Sequence, residues 1–221
     1  MPPVSSEPNY IAVEGVIGVG KTTFATMLAE RIEADVIYED AFNNPFLVDF
    51  YKNRKRFALS CQLYFLMSRF QQQQQLRTHD LFAKRVVSDY LFAKDAIFAS
   101  VNLSDRELAL YNKIAPALAQ DVPKPDLVIY LQASTPKLLE RIRHRNYPFE
   151  KSIDTDYIEV LNKAYDYYFF NYTETPLLVV KTENIDFVNN PSHFDDLIDQ
   201  LHKPIAGKKY YSPSGDTARI G

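Results

Sequence analysis

The chain has one cysteine, Cys61, no tryptophan and only six glycines among its 221 residues. A single cysteine excludes an intramolecular disulfide and a cysteine-based zinc cage, and it gives no sign of an oxidising compartment. Cys61 therefore reads as a packing residue. No apolar run approaches the ~20 residues that a membrane-spanning helix needs, and Met1 to Pro8 is polar and proline-rich without a signal-peptide core. The expectation is a cytoplasmic protein with no membrane partner and a flexible 1–8 segment. A formal net charge of −3 argues against nucleic-acid polymer or anionic lipid as a partner, because both require a basic surface. The four histidines, His79, His144, His193 and His202, show no metal-ligand spacing with one another.

What is present is globular: 46% hydrophobic and 24% charged residues, with the aromatic share carried by 15 Tyr and 15 Phe. A chain of this length fits one core, so a single domain over 1–221 is expected, with 204–221 as a surface tail. Short β-branched runs at Tyr10–Glu14, Asp35–Tyr38, Arg85–Ser88, Leu127–Leu131 and Leu177–Val180 alternate with helical patterns. That rhythm predicts an α/β fold with a five-stranded parallel sheet flanked by helices. Helices are expected over Lys21–Ala34, over Asn43–Arg56 with Asn44 as cap and Pro45 at its first position, and from Phe57 through the glutamine run Gln71–Gln75, read as a solvated helix end. Ser104 with Glu107 forms a capping-box pattern for a helix to about Ala119, whose last turn Pro116 should kink. Thr135 and Pro136 read as cap and first turn of the next helix. Asp154 or Thr155 opens an aromatic helix to about Tyr172, and Pro191 opens the last.

Gly15-Val16-Ile17-Gly18-Val19-Gly20-Lys21-Thr22 satisfies G-x-x-x-x-G-K-[ST] between a strand and a helix, and Thr23 follows it. Three of the six glycines lie here, and none falls between Lys21 and Ala206. Backbone N–H groups converging at such a turn and helix start hold a phosphate without a large basic patch. Lys21 would bridge the β- and γ-phosphates of a nucleotide, and Thr22 would offer its hydroxyl to Mg²⁺. No N-K-x-D guanine motif accompanies the loop. Glu39 ends the second strand and Asp89 the third, so a doubly wound sheet brings both to the edge that carries the loop. Two carboxylates there suit two tasks, accepting a proton from an acceptor hydroxyl and holding Mg²⁺. Arg141, Arg143 and Arg145 alternate along a helix end ahead of Tyr147-Pro148-Phe149-Glu150, as a mobile basic segment that closes over a phosphoryl group would.

The segments IAVEGVIGVGKTT, NPFLVDFY, ALSCQLYFLMSR, VVSDYLFAKDAIFA and RIRHRNYPFEKSI, in this order and spacing, resemble the deoxynucleoside kinase family from Tyr10 to about Phe170. The resemblance implies a P-loop nucleoside-kinase-like fold with an arginine-rich lid, and transfer of the γ-phosphate of ATP to a deoxynucleoside 5′-hydroxyl with Mg²⁺. It implies Glu39 as general base, with Arg69 beside it and Glu39, Thr22 and Asp89 near the metal. Tyr51 and Glu150 would bind the 3′-hydroxyl, Gln62 and Asp95 would read the base edge, and Arg141, Arg143 and Arg145 would form the lid. Asp186 and Phe187 would lie beside the adenine of ATP, and the partner would be a second copy in a homodimer. Two positions depart from the family pattern: Asp89-Tyr90-Leu91 stands where acid-Arg-Ser is usual, and Tyr147 stands where a second lid arginine often occurs. The Asp-Tyr form resembles the bacterial purine-type kinases. A nucleoside monophosphate kinase and a non-catalytic ATP-binding regulator are the alternatives.

Overall fold

The computed structural model describes residues 8–78, 84–187 and 190–212; His79 and the 1–7 segment lie outside them. Tyr10–Gly15 forms β1 and is buried along its whole length. Such a run, apolar on both faces, demands cover on both sides of a sheet. The flanking helices give that cover to a sheet in which, among the described residues, six parallel strands lie in the order β2-β3-β1-β4-β5-β6, where β2 is Asp35–Ile37, β3 Val86–Ser88, β4 Leu127–Gln132, β5 Leu177–Lys181 and β6 Lys208–Tyr211. The chain turns back at β1, which pairs Ile11 with Val87 of β3 on one side and with Leu127 of β4 on the other. That reversal of strand order opens a crevice at the carboxyl ends of β1 and β3, the usual place for a ligand in an open α/β sheet.

β6 corrects two expectations. It adds a sixth strand, and it takes Lys208–Tyr211 out of the expected surface tail by pairing with β5 from Leu177↔Lys208 onward. The sequence KKYY has no apolar run to signal a strand, and lysines are what a sheet edge carries to discourage further pairing.

The helices are α1 (Lys21–Arg31), α2 (Leu47–Lys52), α3 (Arg54–Thr78), α4 (Lys94–Asn102), α5 (Asp105–Ala119), α6 (Thr135–Arg145), α7 (Thr155–Asn171) and α8 (Pro191–Leu201), with a 3₁₀ turn at Pro148–Ser152. Among the described residues none is long and apolar enough to cross a membrane. The expected Asn43–Arg56 helix is two pieces. Asn53 breaks it, its side chain accepting from Arg56 N–H at 3.2 Å to start α3. Asn44 caps nothing helical; it accepts from Phe46 N–H at 3.0 Å and donates to Cys61 O at 3.1 Å, pinning the turn to α3. On α6 the cap is Ser134, one residue ahead of the expected Thr135, and Pro136 follows in the first turn. The capping box at Ser104 and Glu107 forms, and α5 continues through Pro116.

The glutamine run is not simply solvated. Gln73 is fully buried and donates to Tyr10 Oη at 3.2 Å and Tyr90 Oη at 3.1 Å. It fastens α3 to β1 and to the end of β3.

Candidate active site

The loop between β1 and α1 is shaped by its glycines. Gly18 has φ +87°, a left-handed conformation that L side chains avoid, and a Cβ there would lie 2.8 Å from Leu138 O and 2.7 Å from Ile142 Cγ1. The loop thus presses its backbone against α6. Gly20, with φ +103°, caps α1 and leaves its first N–H groups open. Lys21 arches back over this turn, its Nζ donating to Gly15 O at 2.7 Å. Burial, then the nearby Lys94 ammonium, lowers the Lys21 amine to about 8. An arriving phosphate anion reverses both penalties, so the donor set fits a polyphosphate.

Asp89, at the end of β3, joins the loop to β2. Its Oδ2 accepts from Thr22 Oγ1 at 2.6 Å, and its Oδ1 accepts from the Glu39 N–H at 2.6 Å. Thr22 and Asp89 therefore sit together, a hydroxyl and a carboxylate suited to Mg²⁺ that takes its remaining ligands from phosphate and water. Among the described residues no group of three or more His, Cys, Asp or Glu side chains converges as a metal cage. The Glu39 carboxylate is engaged elsewhere. Oε1 accepts from Arg69 Nε at 2.8 Å and Nη2 at 2.6 Å, and Oε2 accepts from Lys94 Nζ at 2.8 Å. Thr22 and Asp89 are hydrogen-bonded to each other, whereas both Glu39 carboxylate oxygens are taken up by cations.

Burial alone would raise the Glu39 pKa, but Lys94 and Arg69 outweigh it and hold the carboxyl well below the usual carboxylate range. Arg69 is fixed by a second carboxylate, since its Nη1 also meets Asp95 Oδ2. Asp95 accepts further from Gln62 Nε2 at 2.6 Å and Tyr111 Oη at 2.8 Å. Burial raises its pKa against the pull of Arg69.

These groups border a cavity of about 620 Å³ that runs from Gly18, Lys21, Thr22 and Thr23 past Glu39, Arg69 and Lys94 to Gln62, Tyr51, Arg145 and Glu150. That volume is the size of a small-molecule site. At the far end, Phe149 stacks on Tyr51 with ring centroids 6.0 Å apart, and Phe42 meets Tyr147 at 5.4 Å and Phe149 at 5.7 Å. Glu150 accepts from Arg145 Nε at 2.7 Å.

Outside the glycine loop, five expected residues stand apart from this lining. Asp95, 1% exposed, lies behind Gln62 and Arg69 and holds both. Arg141 ties loops together, donating to Val19 O at 2.9 Å and Thr182 O at 2.8 Å. Arg143 lies on the exposed side of α6, because two residues along a helix reverse the direction of a side chain. Phe187 packs on Phe24 of α1 at 5.2 Å, behind the loop, with Asp186 N–H donating to His193 Nδ1 at 3.3 Å. Sequence reasoning missed Lys94, Tyr111 and Glu14. Glu14 is fully buried and accepts from Gly15 N–H and Leu91 N–H, each at 2.8 Å, tying β1 to the segment after β3. A lone charge inside an apolar run, as in YIAVEG, is the signal that would have found Glu14.

A sequence profile of the family described as Deoxynucleoside kinase matches residues 11–206. This chain belongs to the deoxynucleoside kinase family. As a member it is an ATP-dependent phosphotransferase whose acceptor is an alcohol. It is 40% identical over 193 residues to a deoxyguanosine kinase of Bacillus subtilis, covering 84% of this chain and 92% of that one. It is also 30% identical to a deoxyadenosine kinase of Lactobacillus acidophilus, covering 89% and 96%. The structure of a deoxyadenosine kinase from M. mycoides with bound dATP superposes with a TM-score of 0.78 at 25% identity, covering 88% of this kinase and 100% of that chain.

Proposed function

We propose that this kinase transfers the γ-phosphoryl group of ATP to the 5′-hydroxyl of a purine deoxynucleoside, deoxyguanosine or deoxyadenosine. The observation that carries the reading is the Glu39 carboxylate, held by Arg69 and Lys94 on the wall of the cavity whose other end is the glycine loop with Lys21. The purine assignment is supported by the Asp89-Tyr90 pair and by the deoxyguanosine and deoxyadenosine kinases among the relatives.

In this reading the loop amides and Lys21 grip the triphosphate. Thr22 and Asp89 would hold Mg²⁺, which neutralises phosphate charge. Glu39 takes the proton of the 5′-hydroxyl. Because its pKa is held low it is fully ionised at neutral pH, and a weak base suffices where the alcohol becomes acidic only as its oxygen bonds to phosphorus. Tyr51 and Glu150 bind the 3′-hydroxyl. Gln62 meets the base edge, oriented by Asp95 from behind, so Asp95 acts on the base through Gln62. Arg145 closes from the lid, Arg141 secures the loop, Arg143 joins when the lid moves, and Asp186 and Phe187 flank the adenine side. A cytoplasmic homodimer completes the reading, with sedimentation analysis as the check on its assembly.

The test supplies MgATP with each of the four natural deoxynucleosides and, separately, with their 5′-monophosphates, and follows ADP. The reading expects turnover with a purine deoxynucleoside. Transfer to monophosphates alone would move the protein to the nucleoside monophosphate kinases, and no acceptor-dependent ADP would make it a regulator.

A further inference from the structure

Lys94 is placed where an ammonium is least comfortable. It is 3% exposed, and it is the first residue of the nine-residue helix α4, whose N-terminus carries partial positive charge that repels a cation. Among the described residues its hydrogen-bond partner is Glu39 Oε2, at 2.8 Å; it also lies over the face of Phe98, 5.8 Å to the ring centroid, and feels the like charge of Lys21. Arg69, the other cation on Glu39, is differently supported, because it keeps Asp95 as a second counter-charge. Tyr90, beside Asp89, supplies no charge here, for its hydroxyl is fixed in the core by Gln73.

Proton uptake by Glu39 therefore affects the two cations unequally. Arg69 still faces an anion. Lys94 becomes a buried ammonium beside a neutral acid, an arrangement that a low-dielectric interior disfavours strongly. The oxygen that gives up the proton is the one that gains the phosphoryl group, so new anionic oxygens form at a point that Glu39 touches and Lys94 borders. We propose that Lys94 is a catalytic residue of the transfer: it holds Glu39 as a carboxylate before the reaction and passes to the transferred phosphoryl group as Glu39 is protonated. The inference rests on the proposed function.

The step balances. The 5′-hydroxyl proton moves to Glu39, the 5′-oxygen bonds to the γ-phosphorus, and the bond from that phosphorus to the β,γ-bridging oxygen breaks with its electron pair going to ADP. Lys94 keeps all three protons and changes only its partner.

The test compares wild type with Lys94→Met and Lys94→Arg, by calorimetric titration with the preferred deoxynucleoside and with its 5′-monophosphate, and by steady-state kinetics. Lys94→Met should lose about tenfold or more in affinity for the monophosphate while nucleoside affinity stays within about threefold, since only the phosphoryl group meets Lys94. Its kcat should fall by about a hundredfold, the usual cost of one charge-stabilising group, and Lys94→Arg should recover most of the monophosphate affinity. Equal weakening of both ligands, or weakening of neither, overturns the inference. Should Lys94→Met not fold, Lys94→Gln, which donates to Glu39 without a charge, takes its place under the same outcomes. A wild type that phosphorylates no deoxynucleoside contradicts the proposed function. An active wild type whose neutral variant keeps its monophosphate affinity contradicts the role of Lys94 alone.

Discussion

Thr22 and Asp89, 67 residues apart in the sequence, are joined by a 2.6 Å hydrogen bond that places one hydroxyl and one carboxylate at the mouth of the glycine loop. The second oxygen of Asp89 holds the backbone of Glu39, so a single side chain sets the distance between the phosphate cradle and the acceptor wall.

Asp89→Asn should disturb both. The amide cannot accept from Thr22 and Glu39 with both of its heteroatoms, and under the proposed function it no longer offers a charge to Mg²⁺. The Mg²⁺ concentration for half-maximal rate should rise by about 10- to 100-fold, and a titration of rate against free Mg²⁺ that superposes on wild type would remove Asp89 from metal binding.

The two loop glycines separate backbone strain from steric conflict. Gly18 and Gly20 both have left-handed φ, but a Cβ at Gly20 meets nothing within 4 Å, whereas one at Gly18 meets the Leu138 carbonyl and Ile142. Gly20→Ala should cost about 1 to 2 kcal/mol in urea unfolding. Gly18→Ala should cost about 2 kcal/mol more, because α6 must shift as well. Equal costs would show that the loop does not press on α6.

Gln73 offers a test of the buried network beneath the sheet. Truncation to Ala leaves the hydroxyls of Tyr10 and Tyr90 with one donor fewer and opens a hole in the core. Stability should fall by about 3 kcal/mol. Gln72, whose bond to Tyr38 O is exposed, should cost less than about 1 kcal/mol on the same substitution.

Cys61 lines the cavity with Tyr51 and Gln62, yet burial pushes its thiol up to about 12. The thiolate is the reactive form, and a raised pKa leaves the group protonated throughout neutral and mildly alkaline pH. Alkylation by iodoacetamide at pH 8 should run about a thousandfold slower than for a free thiol and climb tenfold per pH unit up to the limit of stability. Labelling at the rate of an unfolded control would contradict the burial of this wall.

Much of this was legible in the residues. The loop was readable because a phosphate cradle needs glycines at fixed offsets, and Glu39 and Asp89 were readable because strand ends lie next to it in a doubly wound sheet. β6 was hidden, since an edge strand rich in lysine carries no apolar run. The division of α2 from α3 depended on one asparagine whose side chain could serve either as a cap or on the surface. Lys94 was hidden for a different reason. A lysine at the start of a helix usually reaches solvent, and only the three-dimensional approach of β2 brings Glu39 to meet it. The same holds for Asp95: the family resemblance put it with Gln62 at the base edge, but packing of α5 through Tyr111 decides that it stands behind the cavity wall.

The most direct measurement takes Glu39→Gln and wild type through nucleoside binding and phosphoryl transfer side by side. Glutamine keeps the shape and can accept from Arg69 or Lys94, but it cannot take a proton from the acceptor. The account predicts that nucleoside affinity stays within a few fold while kcat falls by about 10² to 10⁴. A variant that turns over within about fivefold of wild type would contradict it, because general-base contributions are larger than that.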